Sequence, residues 1–249
     1  MYGAQADSGS VRPYVLKPGR ALFQSTVAAD VFSIELILYG QATCHAPRCV
    51  EALRRLGENG ITHARHRFSV QRVDRLGPSG PSEAGLVAAG GGLPALIPTT
   101  ARSVLTAAPA AAAWRIHLET PLAIKHGNAL LKMGLNARIF FERLIGRAQL
   151  LATQQGGAPL LDAETKRGLL DQASRIQLAA DATQWVAASR YSVRQRQYTE
   201  FGGLMGDFEL HDVTPHLAAW LAMAPWLHVG SKTSFGLGAC QLTPLAAGA

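Results

Sequence analysis

The chain is poor in lysine and cysteine and has no long apolar run. Five lysines stand against nineteen arginines in 249 residues. Arginine suits bidentate phosphate contacts and stacking on exposed bases, whereas lysine acts as a point charge. Three cysteines, Cys44, Cys49 and Cys240, cannot form a disulfide framework, and no charged-then-apolar signal segment precedes them. No uninterrupted apolar stretch reaches the roughly 18 residues that cross a bilayer. The expectation is a cytoplasmic protein with no membrane partner. A second paired CxxC or an HxxxH is also missing, so Cys44, His45 and Cys49 fall short of a zinc site, and no metal is expected.

What the chain does have is positive charge. Formal net charge is +7 and the sequence pI is near 9.7, which favours a polyanionic partner. A hydrophobic content of 48% in this length supports one large core, or two small ones of about 100 residues each. Two domains are expected.

Residues 1–12 are small and polar and read as a disordered tail. In 13–76, alternation from Val31 to Leu38 predicts a strand ending at Tyr39-Gly40. A helix then starts at Pro47, carries Val50, Leu53 and Leu56, and stops at Gly57 and Gly60. A second strand through Ala64 to Val73 follows, with Arg65 and Arg67 along it. Residues 77–112, rich in glycine, proline and alanine, read as a linker. From 113 to 249 the pattern is a strand at Trp114–Leu118, helices over about 136–153 and 162–188, and a strand at 190–201. A turn at Gly202-Gly203 leads to a partner strand at 204–210, then a helix from Thr214-Pro215 and a last strand at 235–242. This is the βαββαβ order of a ferredoxin-like (RRM-like) unit, with a long helical insert. Helix, glycine turn and basic strand occur in both halves, which suggests duplication. The fold class is α+β.

Between the last helix and the last strand lies Trp226 to Gly238, the richest chemistry in the chain. Gly230, Gly236 and Gly238 let backbone N–H groups approach an anion, and Ser231, Lys232, Thr233 and Ser234 add charge and hydrogen bonds. The run matches neither the GxxxxGK[ST] phosphate loop nor the GxGxxG fingerprint. Arg190, Arg194 and Arg196 share one face of a strand by two-residue spacing, flanked by Tyr191 and Tyr198. Like charges so placed repel unless they meet an anion. Asp207, Glu209, His211 and Asp212 read as a solvated acidic loop, and the four tryptophans as core.

His228 to Gly238, with Ser192-Val193-Arg194-Gln195 before Gly202-Gly203-Leu204-Met205-Gly206, and Leu38-Tyr39-Gly40-Gln41-Ala42 earlier, resembles the CRISPR-associated precursor-crRNA processing endoribonucleases of the RAMP superfamily. The resemblance spans about Pro13 to Leu242 and is strongest in the last 60 residues. It implies two ferredoxin-like units that hold a CRISPR repeat RNA, and metal-independent cleavage by the 2'-hydroxyl with no cofactor. RNA and other CRISPR-associated proteins of an effector complex would be the partners. Against that family pattern, the N-terminal unit lacks its first strand and helix. For the chemistry, Tyr39, His45 and Arg48 within ten residues offer acid, base and phosphate clamp. His228, beside the glycine-rich loop, is the rival base. Each has a plainer reading, Tyr39 closing a core, His45 as a solvated turn residue and His228 as a satisfied half-buried one. His63 and His66 sit among arginines. A non-catalytic RNA-binding subunit of a ribonucleoprotein is the alternative function.

Overall fold

Glycine and proline cut this sequence into short elements. The structure is a computed structural model that describes residues 11–19, 31–61, 64–78, 80–87, 96–126, 129–192 and 196–246. In chain order the elements are β1 (Tyr14–Pro18), β2 (Ile34–Leu38), α1 (Ala46–Asn59), β3 (Val73–Gly77), β4 (Gly80–Val87), α2 (Ala101–Ala107), β5 (Trp114–Leu122), β6 (Lys125–His126), β7 (Ala129–Leu130), α3 (Ala137–Gln154), α4 (Ala163–Ala173), β8 (Gln177–Ala179), β9 (Gln184–Val186), β10 (Ser189–Ser192), β11 (Gln197–Glu200), β12 (Gly203–His211), α5 (Pro215–Ala222), α6 (Ala224–Leu227) and β13 (Cys240–Pro244). They fall into two units, one of Leu38–Ala108 and one of Met1–Ile37 with Pro109–Ala249.

The larger unit is built on an antiparallel sheet in the order β13-β5-β12-β8, with β9 also on β12. The last strand therefore lies beside the first, and the third beside both the first and the second, which is the ferredoxin-like arrangement. Alternation along β5 explains the two faces of the sheet. Trp114, Ile116, Leu118, Thr120 and Leu122 point into the core while Arg115, His117 and Glu119 point away from it. Leu204, Phe208 and Leu210 of β12 join the core, and α3 covers it with Phe140, Phe141, Leu144 and Ile145. The Phe140 ring meets Phe141 and Phe208 edge to face, at 5.9 and 5.8 Å. Each such side chain contributes about 2–3 kcal/mol of burial. Asn136, Asp162 and Thr214 cap α3, α4 and α5 by accepting from the backbone N–H three residues on.

β1 is fastened to this unit by charge. Lys17 Nζ lies 2.7 Å from Glu119 and 3.2 Å from Glu35, with only 14% of its side chain exposed. Burial alone would lower the Lys17 pKa, but the hydrogen bond it donates to Glu119 and the charges of both carboxylates outweigh it and leave the pKa raised.

In the smaller unit, α1 has Pro47 in its first turn and turns Val50 and Gly57 inward. The chain reverses at Gly60, φ 84°, and Phe68 N–H donates to the Gly57 carbonyl at 3.2 Å. A Cβ on Gly57 would lie 2.2 Å from the Phe68 carbonyl oxygen, so only glycine permits this return. β3 and β4 form a hairpin, and a Thr100–Ser103 capping box starts α2. β2 pairs with β1 and β3 with β4, so the strand–helix–strand segment between them is not joined into one sheet among the described residues.

Several local expectations change. The stretch 77–112 holds β4 and α2. The basic strand expected from Ala64 begins only at Val73, because Ile61 and His66 bridge each other and make 61–66 a tight turn. The helix expected to reach residue 188 ends at Ala173, since Gln177–Ala179 and Gln184–Val186 complete the edge of β12. Sheet pairing there overrides the helical propensity of an alanine-rich run. The strand expected over 190–201 is a hairpin of β10 and β11. Gly202 and Gly203 are not its turn. A Cβ on Gly203 would lie 2.7 Å from the Leu122 backbone, so that glycine admits β12 to the side of β5.

Two glycine substitutions separate close packing from helix propensity. Gly238, at φ 72°, would place a Cβ 1.8 Å from the Val229 carbonyl oxygen, whereas Gly146 in α3 has nothing within 4 Å. Gly238→Ala should lower unfolding free energy by about 2 kcal/mol or more, and Gly146→Ala should raise it by about 0.5–1 kcal/mol, both read by urea denaturation.

Candidate nucleic-acid interface

The glycine-rich loop runs from α6 back across the end of β5. Ser231 N–H donates to the Ala123 carbonyl at 2.7 Å, Gly238 N–H to Pro121 at 3.0 Å, and Val229 N–H to Gly238 at 2.9 Å. Buried Thr120 ties the return. Its hydroxyl donates to the Gly236 carbonyl at 2.7 Å and accepts from Ala239 N–H at 2.9 Å. The glycines have intramolecular reasons: a Cβ on Gly230, φ 91°, would lie 2.5 Å from the Ala123 carbonyl oxygen, and one on Gly236, φ 83°, 2.8 Å from Lys17 Cα. Gly236, Gly238 and Thr233 are buried. The middle of the loop stays at the surface. Lys232, left-handed at φ 58°, opens a short 3-10 turn, Thr233–Phe235, where Ser231, Lys232 and Ser234 are half-buried and Phe235 is 37% exposed. The backbone N–H groups of Lys232 and Ser234 make no hydrogen bond to the described residues.

Three cations converge here on two rings. Phe201 and Phe235 meet edge to face with centroids 5.3 Å apart. Arg190 Cζ lies 5.0 Å from the Phe235 centroid and 6.0 Å from that of Phe201. Arg12 Cζ lies 5.7 Å from Phe235 and Lys232 Nζ 5.0 Å from Phe201. Lys232 also donates to the Glu200 carbonyl. Its pKa is lowered, first by burial and then by the charge of Lys125, against the opposing pull of Glu200. Phe201 and Arg12 carried no sequence signal. Phe201 falls on the Arg190 face because Arg190 pairs with Thr199 in the hairpin, a register that spacing along one strand could not reveal. Arg12 sits at the end of the segment read as a tail.

Arg196, exposed at φ 51°, precedes β11 rather than sharing a strand with Arg190. Arg194 lies outside the described residues. Tyr191 and Tyr198 face each other across the hairpin, rings 5.2 Å apart and exposed. Arg65 and Arg67 are exposed in and just after the tight turn that follows α1. Asp207, Glu209 and His211 belong to β12, not to a loop. Asp207 Oδ1 lies 2.9 Å from His117 Nδ1, and Glu209 takes Arg115 at 2.8 Å and His211 at 3.1 Å. Of the tryptophans, Trp114 is buried and Trp185, Trp220 and Trp226 are half-buried.

In the smaller unit, Tyr39 is half-buried and leads into the 3-10 turn Gly40–His45. His45 is the N-cap of α1, half-buried, with Nδ1 3.7 Å from the Cys44 thiol. Arg48 is exposed in the first turn of α1. The positive end of that helix dipole and Arg48 both favour an anion near His45. His63 lies outside the described residues and His66 is exposed. Among the described residues no three His, Cys, Asp or Glu side chains gather as a metal-binding group, and no helix is long and apolar enough to cross a membrane.

His228 is only 1% exposed, so it is more deeply placed than a half-buried residue, and its Nδ1 lies 3.1 Å from the Leu237 carbonyl. Burial pushes its pKa down to about 4; the Leu237 hydrogen bond opposes this, and Lys17 and Arg147 add to it. A base whose folded pKa lies below its unfolded value binds its proton more readily when unfolded. Stability therefore rises with pH between about 4 and the unfolded value near 6.5, and is lost as pH falls through that window. The loss attributable to His228 is about 3 kcal/mol by pH 4. His228→Asn, which can still donate to Leu237, should flatten the denaturation profile between pH 7 and 4 relative to wild type.

Comparison with known proteins bears on the family and the fold. The family model described as CRISPR-associated endoribonuclease Cas6 matches residues 116–240, half of the chain, and a model described as an N-terminal domain matches residues 3–94. No curated protein matches. Among solved structures, the product complex of Thermus thermophilus Cas6 (TTHB231) aligns at a TM-score of 0.61 and 14% identity, covering 93% of this chain and 82% of that one. The Cas6 (TTHA0078) product complex aligns at 0.52 and 17%, covering 93% and 85%. A partial Cas6-RT-Cas1–Cas2 complex aligns at 0.53 and 15%, covering 85% of this chain and 35% of that one. At these identities the structural likeness establishes the shared fold. With the family match over the sheet, its helices and the glycine-rich loop, the chain belongs to the CRISPR-associated endoribonuclease Cas6 family.

Proposed function

We propose that this Cas6 family member binds a CRISPR repeat transcript and cuts it without a metal, by attack of a ribose 2'-hydroxyl on the adjacent phosphate. The observation that carries the RNA reading is the group of Lys232, Arg190 and Arg12 gathered at the loop with no ion pair among the described residues. Cations so concentrated repel one another unless a polyanion lies against them. Ser231 and Ser234, beside Lys232, add donors for a phosphodiester, and exposed Arg196, Arg65 and Arg67 extend the positive surface of their own units. The solved Cas6 relatives include product complexes, which accords with an RNA ligand here.

The cleavage reading rests on Tyr39, His45 and Arg48. The reaction needs a base for the 2'-hydroxyl proton, an acid for the departing 5'-oxygen, and cations around a phosphate that gains charge in the transition state. In this reading the His45 imidazole takes the proton, the Tyr39 phenol supplies one to the leaving oxygen, and Arg48 with the α1 N-terminus steadies the phosphate. The products are a 2',3'-cyclic phosphate and a 5'-hydroxyl. His228 is left out, because its imidazole is 1% exposed and its Nδ1–H is committed to the Leu237 carbonyl, which withdraws it from an RNA in solvent.

The test is cleavage of an end-labelled repeat RNA in EDTA. Wild type should yield the cyclic phosphate, and His45→Ala should cut about 10²- to 10⁴-fold more slowly with RNA affinity unchanged. An undiminished rate removes His45 from the chemistry, and tight binding with no cleavage by wild type favours the non-catalytic RNA-binding subunit. Lys232→Ala should weaken RNA binding for all sequences and reduce the slope of log K against log salt by about 1.

A further inference from the structure

Phe201 and Phe235 are unusual in where they sit. Phe235 is 37% exposed in a loop where Gly236, Leu237 and Gly238 are buried, and besides each other the two rings have cations within 6.0 Å of their centroids. The cations arrive from separate parts of the larger unit: Arg12 just before β1, Arg190 on β10, Lys232 in the loop itself. What brings them together is backbone geometry. Gly236 lets the loop lie on β1 at Lys17, which carries Arg12 to one side of Phe235, and the Arg190–Thr199 pairing sets Phe201 and Arg190 on one face of the hairpin.

A phosphate-only site has no use for these rings. Lysine and arginine beside backbone N–H groups suffice for a phosphodiester, and exposing an aromatic side chain there adds nothing to that contact. A planar ring with a guanidinium lying over it is instead the surface on which an unstacked base lies, since aromatic faces and arginine planes both stack on bases. In a duplex the bases are stacked on one another and withhold their faces, so the surface selects an unpaired nucleotide. Building on the RNA-binding reading, we propose that Phe235, Phe201 and Arg190 form a stacking subsite for one unpaired base of the RNA, with Lys232 and Arg12 on the phosphates that flank it. Phe235 is then a determinant of which RNA is held, and Lys232 and Arg12 of how tightly any RNA is held.

The test is fluorescence anisotropy with a labelled single-stranded RNA and the same strand annealed to its complement, for wild type, Phe235→Leu, Phe235→Tyr and Lys232→Ala. Phe235→Leu should bind the single strand about tenfold or more weakly with an unchanged salt slope, Phe235→Tyr should restore affinity, and both should bind duplex like wild type. An abasic nucleotide placed along the strand should weaken wild type at one position and leave Phe235→Leu indifferent there. Leucine binding as well as phenylalanine, or an equal loss on single strand and duplex, overturns the subsite while leaving RNA binding standing. No RNA binding by folded wild type overturns the functional reading and this subsite with it. Matching thermal melts for the variants establish that the folded state is compared.

Discussion

The larger unit depends on one buried hydroxyl. Thr120 occupies an inward position of β5 where leucine or isoleucine would follow the pattern, and its Oγ1 both donates to Gly236 and accepts from Ala239. A buried polar group that lost either partner would be costly, so the loop is held at its C-terminal end as firmly as a strand. From that clamp the rest follows. β13 enters the sheet beside β5, Gly236 settles on β1, and the turn between Lys232 and Phe235 is pushed outward as the part of the loop that faces solvent.

The sheet gives the two faces of this unit different jobs. One is sealed by α3, α4 and α5 over Phe140, Phe208 and Leu210, and supplies stability. The other carries cross-strand pairs, His117 with Asp207 and Arg115 with Glu209, beside the Lys17 bridge to Glu119 and Glu35. Those charges are matched to one another in rows set by the strand register. The contrast with the loop is informative: carboxylates neutralise the cations of the sheet face, while the loop cations rest on phenyl rings that leave their charge available.

Much of this was legible in the sequence, for identifiable reasons. The alternation of β5 and the helix starts near Asn136, Asp162 and Thr214 are local patterns, and each is where the chain indicated, whereas the last strand begins at Cys240 rather than Phe235 because Thr233–Phe235 forms a 3-10 turn. What failed was non-local. Residues 177–186 look helical by composition and become strand because β12 offers an edge. Asp207 and Glu209 look solvated until β5 brings His117 and Arg115 opposite them. Glycines 230, 236 and 238 look like anion-binding glycines, yet each also answers a backbone contact, with Ala123, Lys17 and Val229. Phe201 and Arg12 gave no signal at all, because their meaning lies in a hairpin register and a strand docking that no spacing rule encodes.

The separation of roles along the chain also bears on what selects an RNA. In the proposed site, charge from Lys232, Arg12 and Arg190 draws any polyanion and does so less at high salt, because the gain comes from counterion release. Rings discriminate by whether a base is free to stack, and salt hardly alters that. The residues proposed for the chemistry, Tyr39, His45 and Arg48, belong to a different unit, so in that proposal affinity and turnover answer to different parts of the sequence. In the proposed reading, cleavage at one phosphodiester removes neither the stacked base nor the phosphates flanking it, and the product stays bound.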